Sequence, residues 1–234
     1  MSVEDFTREL KSHSNPEKAK FLQGYFKTGK GYYGEGDVFL GITVPLQRSV
    51  ARKYIDLSLN DYLKLLKSKI HEYRFSALEA LAMKYRKGTL AEKAKIYKFY
   101  LQHRKYINNW DLVDTSAPSI VGEYFFNKSK TVLYKLARSK NVWDRRITII
   151  ATQYFIRQGQ FSETLKIAKL LLKDGHDLIH KASGWMLREV GNREEETLIK
   201  FLDLYAHKMP RTMLRYAVER LNSAKRKHYL SKKT

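Results

Sequence analysis

The sequence predicts an all-α protein, a curved α-solenoid of stacked helical pairs with a concave basic cleft. Three observations lead there. Only 4 Pro and 12 Gly interrupt 234 residues; apolar residues recur at helical spacing, as in Phe75, Leu78, Ala82 and Tyr85; and a short basic motif returns at a nearly constant interval. That motif reads Arg74-Phe75-Ser76-Ala77, Arg146-Ile147-Thr148-Ile149, Lys181-Ala182-Ser183-Gly184 and Arg215-Tyr216-Ala217-Val218, with its basic positions separated by 72, 35 and 34 residues.

The first gap is twice 36, so one repeat is phased near residue 110, where Trp110 sits. An interval of this size is that of HEAT-like helical repeats, in which equivalent helices line one concave surface. Phasing then turns Trp110, Arg146, Lys181 and Arg215 toward one basic groove suited to a duplex. The expected organisation is a single HEAT-like repeat domain over residues 1–224 and a basic, frayed tail over 225–234.

Helix boundaries are legible along the chain. Ser2 with Asp5 and Thr89 with Glu92 form capping boxes, Asn15 precedes Pro16, and Pro45, Pro118 and Pro210 fall near first turns. About a dozen helices follow from these signals. Between the second and third lies Thr28-Gly29-Lys30-Gly31-Tyr32-Tyr33-Gly34-Glu35-Gly36-Asp37. It lacks the Gly-Lys-Ser/Thr ending of a phosphate-binding loop and follows no strand, so it reads as a loop whose Tyr32 and Tyr33 pack against the protein.

With 45 Lys+Arg against 24 Asp+Glu, the formal charge is +21 and the pI about 9.9. Such an excess concentrates polyanions at the surface and makes nucleic acid the first partner to consider. Seven Lys/Arg between Lys128 and Arg146 face one acid, Asp144. The absence of cysteine excludes disulfides, thiolate nucleophiles and Cys-based zinc sites. No segment has the length or polarity of a membrane span, and the N-terminal region with Glu4, Asp5 and Glu9 lacks a signal-like apolar core. A cytoplasmic, nucleoid-associated protein without an obligate protein partner is expected.

Against this charge, Ile107-Asn108-Asn109-Trp110-Asp111-Leu112-Val113-Asp114 places an aromatic ring and a carboxylate one helical turn apart. Asp111 lies nearer the helix start, where a carboxylate complements the dipole. Asp114 gains less from that effect, so a catalytic reading falls on Asp114. Trp143 leads the apolar run Ile147, Ile150, Ala151 and Tyr154 and reads as core; Trp185, preceded by Gly184 and flanked by Lys181 and Arg188, reads as a groove residue. Arg145 and Arg146 suit bidentate phosphate contact. His176 and His180 have the i, i+4 spacing of a zinc pair, but Asp177 stands where the general base should be Glu and no third ligand follows, so no metal is expected.

Together with Phe39-Leu40-Gly41-Ile42 and Val44-Pro45, the stretches Asn109–Asp114, Val142–Arg146 and Gly184–Glu189 resemble the AlkD-type DNA alkylation-repair glycosylases over nearly the whole chain. The resemblance implies a HEAT-like repeat DNA glycosylase that acts on double-stranded DNA containing alkylated bases. It releases cationic purines such as 3-methyladenine and 7-methylguanine in base excision repair, with no cofactor. It assigns Trp110 and Trp185 to the deoxyribose of the damaged nucleotide, Asp114 to catalysis and Arg146 to a phosphate, and the surrounding charge extends the DNA-binding set to Lys181, Arg188 and Arg145. The alternative is a noncatalytic repeat protein that binds DNA or RNA, because fold does not decide function.

Overall fold

In the computed structural model, which describes residues 1–231, the chain is helical and the described residues contain no β-strand beyond an isolated bridge between Val38 and Ile70. It divides into two compact units, Met1–Ile120 and Val121–Thr234.

The first unit holds α1 (Val3–Ser12), α2 (Pro16–Tyr25), α3 (Val44–Lys53), α4 (Leu59–Leu66), α5 (His71–Lys87), α6 (Leu90–His103) and α7 (Trp110–Ala117). Its centre is α5, which is buried on nearly every side and packs against α3, α4, α6 and α7. Local chemistry sets the starts. The Ser2 hydroxyl accepts from Asp5 N at 3.2 Å while Asp5 accepts from Ser2 N at 3.1 Å. Thr89 and Glu92 repeat the exchange at 3.3 and 2.7 Å, and Asn15 caps α2 through Lys18 N at 2.9 Å. Each such cap satisfies an otherwise orphaned amide and is worth about 1 kcal/mol.

The second unit holds α8 (Glu123–Phe125), α9 (Thr131–Ala137), α10 (Val142–Arg157), α11 (Ser162–Leu170), α12 (Asp177–Arg193), α13 (Glu195–Tyr205), α14 (Arg211–Ala217) and α15 (Ser223–Ser231). Here α10, α12 and α14 pack in sequence as one row, while α9, α11 and α13 cover them as a second. This is the alternation of an α-solenoid. Trp143, Ile147, Ile150, Met186, Leu187 and Leu214 are buried between the rows. Gly184 permits a close approach of α12 to α14: a Cβ there would collide with the Met213 carbonyl and stand 2.6 Å from Tyr216 Cβ.

Two expectations are corrected. Pro118 opens no new helix; it lies inside a continuous helical run, where Pro118–Gly122 forms a π turn after α7. Proline has no N–H to offer the carbonyl four residues back, that of Asp114, and its ring crowds that oxygen, so the ladder widens. Nor is the basic end frayed through residue 231. In α15 the buried Tyr229 donates to Asp203 Oδ1 at 2.7 Å, Lys225 pairs with Glu195 at 2.5 Å, and Arg211 donates to Leu230 O at 3.0 Å. Lys232 and Lys233 lie outside the described residues.

Candidate functional site

The repeat seen in sequence has a structural register. Its helices α5, α7, α10, α12 and α14 follow the N-caps Ile70, Asn109, Asn141, His176 and Pro210. Arg74 is the fourth helical residue, and Arg146, Lys181 and Arg215 are each the fifth. In α7 the fifth residue is Asp114, whereas Trp110 is the first. The position phased to Trp110 by residue counting is therefore Asp114, because counting ignores unequal loop lengths while the register starts afresh at each helix. Where α10, α12 and α14 carry a base in the fifth position, α7 carries an acid.

Asp111 and Asp114 have different surroundings. Both oxygens of Asp111 are engaged, Oδ1 by Leu112 N at 2.9 Å and Oδ2 by His71 Nε2 at 2.8 Å. Asp114 is half-buried, and its charge adds to burial in pushing up the Tyr100 hydroxyl, which itself hydrogen-bonds Ser116 at 3.0 Å. The Trp110 ring stacks on Phe26 with centroids 5.1 Å apart and planes 7° from parallel, and Tyr25 meets it edge-on at 6.1 Å.

Beneath Trp110 lies a buried cluster that the sequence reading missed. Asp37, the last residue of the glycine-rich segment, binds His71 Nδ1 at 2.9 Å and Arg74 Nη2 at 2.5 Å, and accepts from Asn109 Nδ2 at 3.3 Å. Arg74 also donates to Asn108 Oδ1. Asn109 in turn accepts from Trp110 N at 2.8 Å. Burial alone would push His71 down; the Asp111 charge and hydrogen bonds to Asp111 and Asp37 outweigh it and raise His71 to about 9. Burial likewise opposes ionised Asp37, but its bond to His71 and the Arg74 charge hold its pKa below the ordinary value.

The flanking loop is pinned by Glu72, whose buried carboxylate accepts from the amides of Leu40 at 3.0 Å, Gly41 at 2.8 Å and Ile42 at 3.3 Å. Gly41 sits at φ +83°, and a Cβ there would collide with the Asn15 carbonyl, leaving no room for a side chain. Tyr32, expected to pack, is instead 61% exposed; Tyr33 is half-buried.

In the second unit the expected DNA-binding residues have unequal freedom. Arg145 is committed: Nε and Nη2 grip Asp174 at 2.6 and 3.3 Å, and Nη1 donates to the carbonyls of Ser139 and Lys140 at 2.9 and 3.0 Å. That geometry holds a loop to the start of α10 and removes Arg145 from the phosphate-binding candidates. Arg146 is buried and donates to Leu178 O at 2.6 Å. Lys181 pairs with Asp177 at 2.8 Å but keeps a 43% exposed side chain. Arg188 pairs with Glu219, which a phosphate has to displace. Trp185 is half-buried, its Nε1 donating to Glu189 at 3.0 Å. His176 and His180 serve the start of α12: His176 Nδ1 accepts from Leu178 N at 3.1 Å and His180 contacts the Asp174 carbonyl.

Alternating helix rows, a register-matched series of bases and a single substituted acid define the class: an all-α helical-repeat protein with a strongly basic composition and a candidate carboxylate centre. The chain belongs to the family of DNA alkylation repair enzymes, which matches it over residues 6–221. Its fold is also that of a predicted DNA alkylation repair enzyme from Enterococcus faecalis, with a TM-score of 0.69 at 17% identity, covering 90% of this chain and 98% of that one. No curated protein matches the sequence.

Proposed function

We propose that the protein is a monofunctional DNA glycosylase that hydrolyses the N-glycosidic bond of cationic alkylated purines, 3-methyladenine and 7-methylguanine, in duplex DNA. The observation that carries this reading is Asp114, an acid in the register position that Arg146, Lys181 and Arg215 fill with bases, one turn from a half-buried tryptophan. On a chain of +21 a carboxylate that faces polyanion weakens binding, so its retention fits a target that becomes positive.

The reaction supplies such a target. Alkylation leaves the purine cationic; when the C1′–N bond breaks, the base departs with the bonding pair and becomes neutral, and positive charge passes to the sugar. Asp114 stabilises that oxocarbenium-like state and orients the water that adds to C1′, accepting its proton. A cationic leaving group needs no general acid. Trp110 contributes its π face to the developing cation, about 0.5–2 kcal/mol according to desolvation. Trp185 is assigned to a deoxyribose and Arg146 to a phosphate on the strength of the sequence resemblance, and Lys181 and Arg188 to phosphates by the surrounding charge; Lys181 is the most exposed of the three. The residues in hand call for no metal or organic cofactor.

Incubation with a duplex carrying 7-methylguanine is expected to release the free base. Asp114→Asn is expected to abolish release while duplex affinity changes little, since the substitution removes a charge at the sugar and none at a phosphate. Undiminished release by that variant would overturn the role of Asp114. Tight, salt-sensitive binding with no release from any alkylated duplex would favour a noncatalytic DNA-binding protein.

A further inference from the structure

We propose that His71, bridging Asp37 and Asp111, is a positioning residue for base release: it ties the glycine-rich segment 28–37 to the first turn of α7 and so sets where Trp110 and Asp114 stand. The proposal rests on the glycosylase reading above. His71 is 2% exposed and cannot touch substrate, so whatever it does is done through its partners.

Two hydrogen-bond paths run from Asp37 to that turn. One passes through Asn109 to Trp110 N; the other passes through His71 to Asp111, whose second oxygen holds Leu112 N. They meet on residues 109–112, immediately before Asp114. The side chain of Trp110 is fixed by the same assembly, because Phe26 stacks on it and also lies against Phe39 at 4.9 Å and His71 at 4.9 Å. The indole, the turn that carries it and the glycine-rich segment thus move as one body.

The arrangement is costly if its only purpose is stability. It buries three ionisable side chains, Asp37, His71 and Arg74, and half-buries a fourth, Asp111, where apolar residues of similar volume do as well or better. It also puts a cation at the first position of α5, the end of a helix that disfavours positive charge. What the charges supply is directionality. The groups facing His71 are Asp37 from the glycine-rich segment, Asp111 from α7 and Arg74 from its own helix. With His71 protonated the four charges cancel, and both ring nitrogens donate to carboxylates. Neutral imidazole has only one N–H, so one carboxylate at 2.8–2.9 Å then faces a lone pair and must move.

The test uses the full chain labelled with 5-fluorotryptophan, with the Trp110 resonance assigned by Trp110→Phe, alongside single-turnover release from 7-methylguanine duplex at pH 7. In wild type the Trp110 resonance is expected to titrate with a midpoint near 9, that of His71. Asp111→Asn is expected to move the midpoint down and His71→Gln to remove it. Both variants are expected to slow release roughly 10- to 100-fold with duplex affinity within about threefold of wild type, the pattern of a misplaced rather than a missing catalytic group. Should His71→Gln not fold, Asp111→Asn, which leaves His71 its bond to Asp37, carries both readouts. A Trp110 resonance that ignores pH and both substitutions, or release that continues at the wild-type rate while only the melting temperature falls, overturns the proposal. Wild-type protein that releases no base sinks the glycosylase reading and the positioning role with it, an outcome distinct from active variants.

Discussion

Stability should fall as pH rises from 6.5 to 9, and His71 should be the cause. Its pKa is about 9 in the folded protein against an ordinary value of 6.5, a difference of about 2.5 units. At 1.36 kcal/mol per unit that amounts to about 3 kcal/mol, and a side chain 2% exposed needs little discount for solvent. Because the folded value is the higher one, the contribution is complete below 6.5 and disappears as pH climbs through 9. Other groups act outside this window. His103 and His176 are pushed down by burial, so they destabilise only as pH falls below 6.5. Tyr62 and Tyr100 are pushed up by burial and cost stability only above their ordinary 10. Urea denaturation at half-unit steps from pH 6 to 9.5 is expected to show a decline of about 1.4 kcal/mol per unit within the window, and His71→Gln to be flat there. A domain of ordinary stability, about 5–15 kcal/mol, makes a 3 kcal/mol change easy to resolve. A flat or rising wild-type profile between pH 7 and 9, or an equal slope in the variant, would refute the charged bridge.

Three further outcomes follow from the second unit. Gly184→Ala places a methyl against the Met213 carbonyl and Tyr216 Cβ, backbone and branch-point atoms that cannot swing away; it should cost about 1–3 kcal/mol in denaturant titration, and a loss below about 0.5 kcal/mol would show that α12 and α14 separate freely. Arg145→Ala strands Asp174, 5% exposed at its side chain, and should cost about 3 kcal/mol while leaving the salt dependence of duplex binding almost unchanged. Lys181→Ala should do the reverse, lowering the slope of log affinity against log salt by about 1 with little effect on stability. An exchange of those two phenotypes would reinstate Arg145 as a phosphate ligand.

Much of the fold was readable because its signals are local. A capping box spans three residues, and Ser2/Asp5 and Thr89/Glu92 behave as their spacing requires. The basic motif marked α10, α12 and α14, which pack in sequence, and the apolar run after Trp143 marked it as core. Pro118 misled because the same residue type starts helices and widens them, and only neighbouring turns decide which. The tail misled because charge density argues for fraying, whereas one buried tyrosine, Tyr229, secures the helix.

Adjacent residues show where sequence reasoning stops. Arg145 and Arg146 have the same chemistry, yet a step of about 100° around α10 gives one a bidentate carboxylate and points the other at a carbonyl of α12. Asp111 and Asp114 differ in the same way: the first turns to His71, 40 residues away, and the second does not. The candidate acid was legible from charge context, and its register position needed the helix starts.

By itself the sequence determined an all-helical repeat protein, its helix starts and a polyanion-binding composition, since each depends on contacts within a few residues or on summed charge. Only the tertiary structure decided that Asp111 is held by His71 and that Arg145 is committed to Asp174, and it alone brought Asp37 to His71 and Asp111. Those partners are 34 and 40 residues apart in the chain, and no local period encodes a contact that exists only once α5 and α7 are packed together.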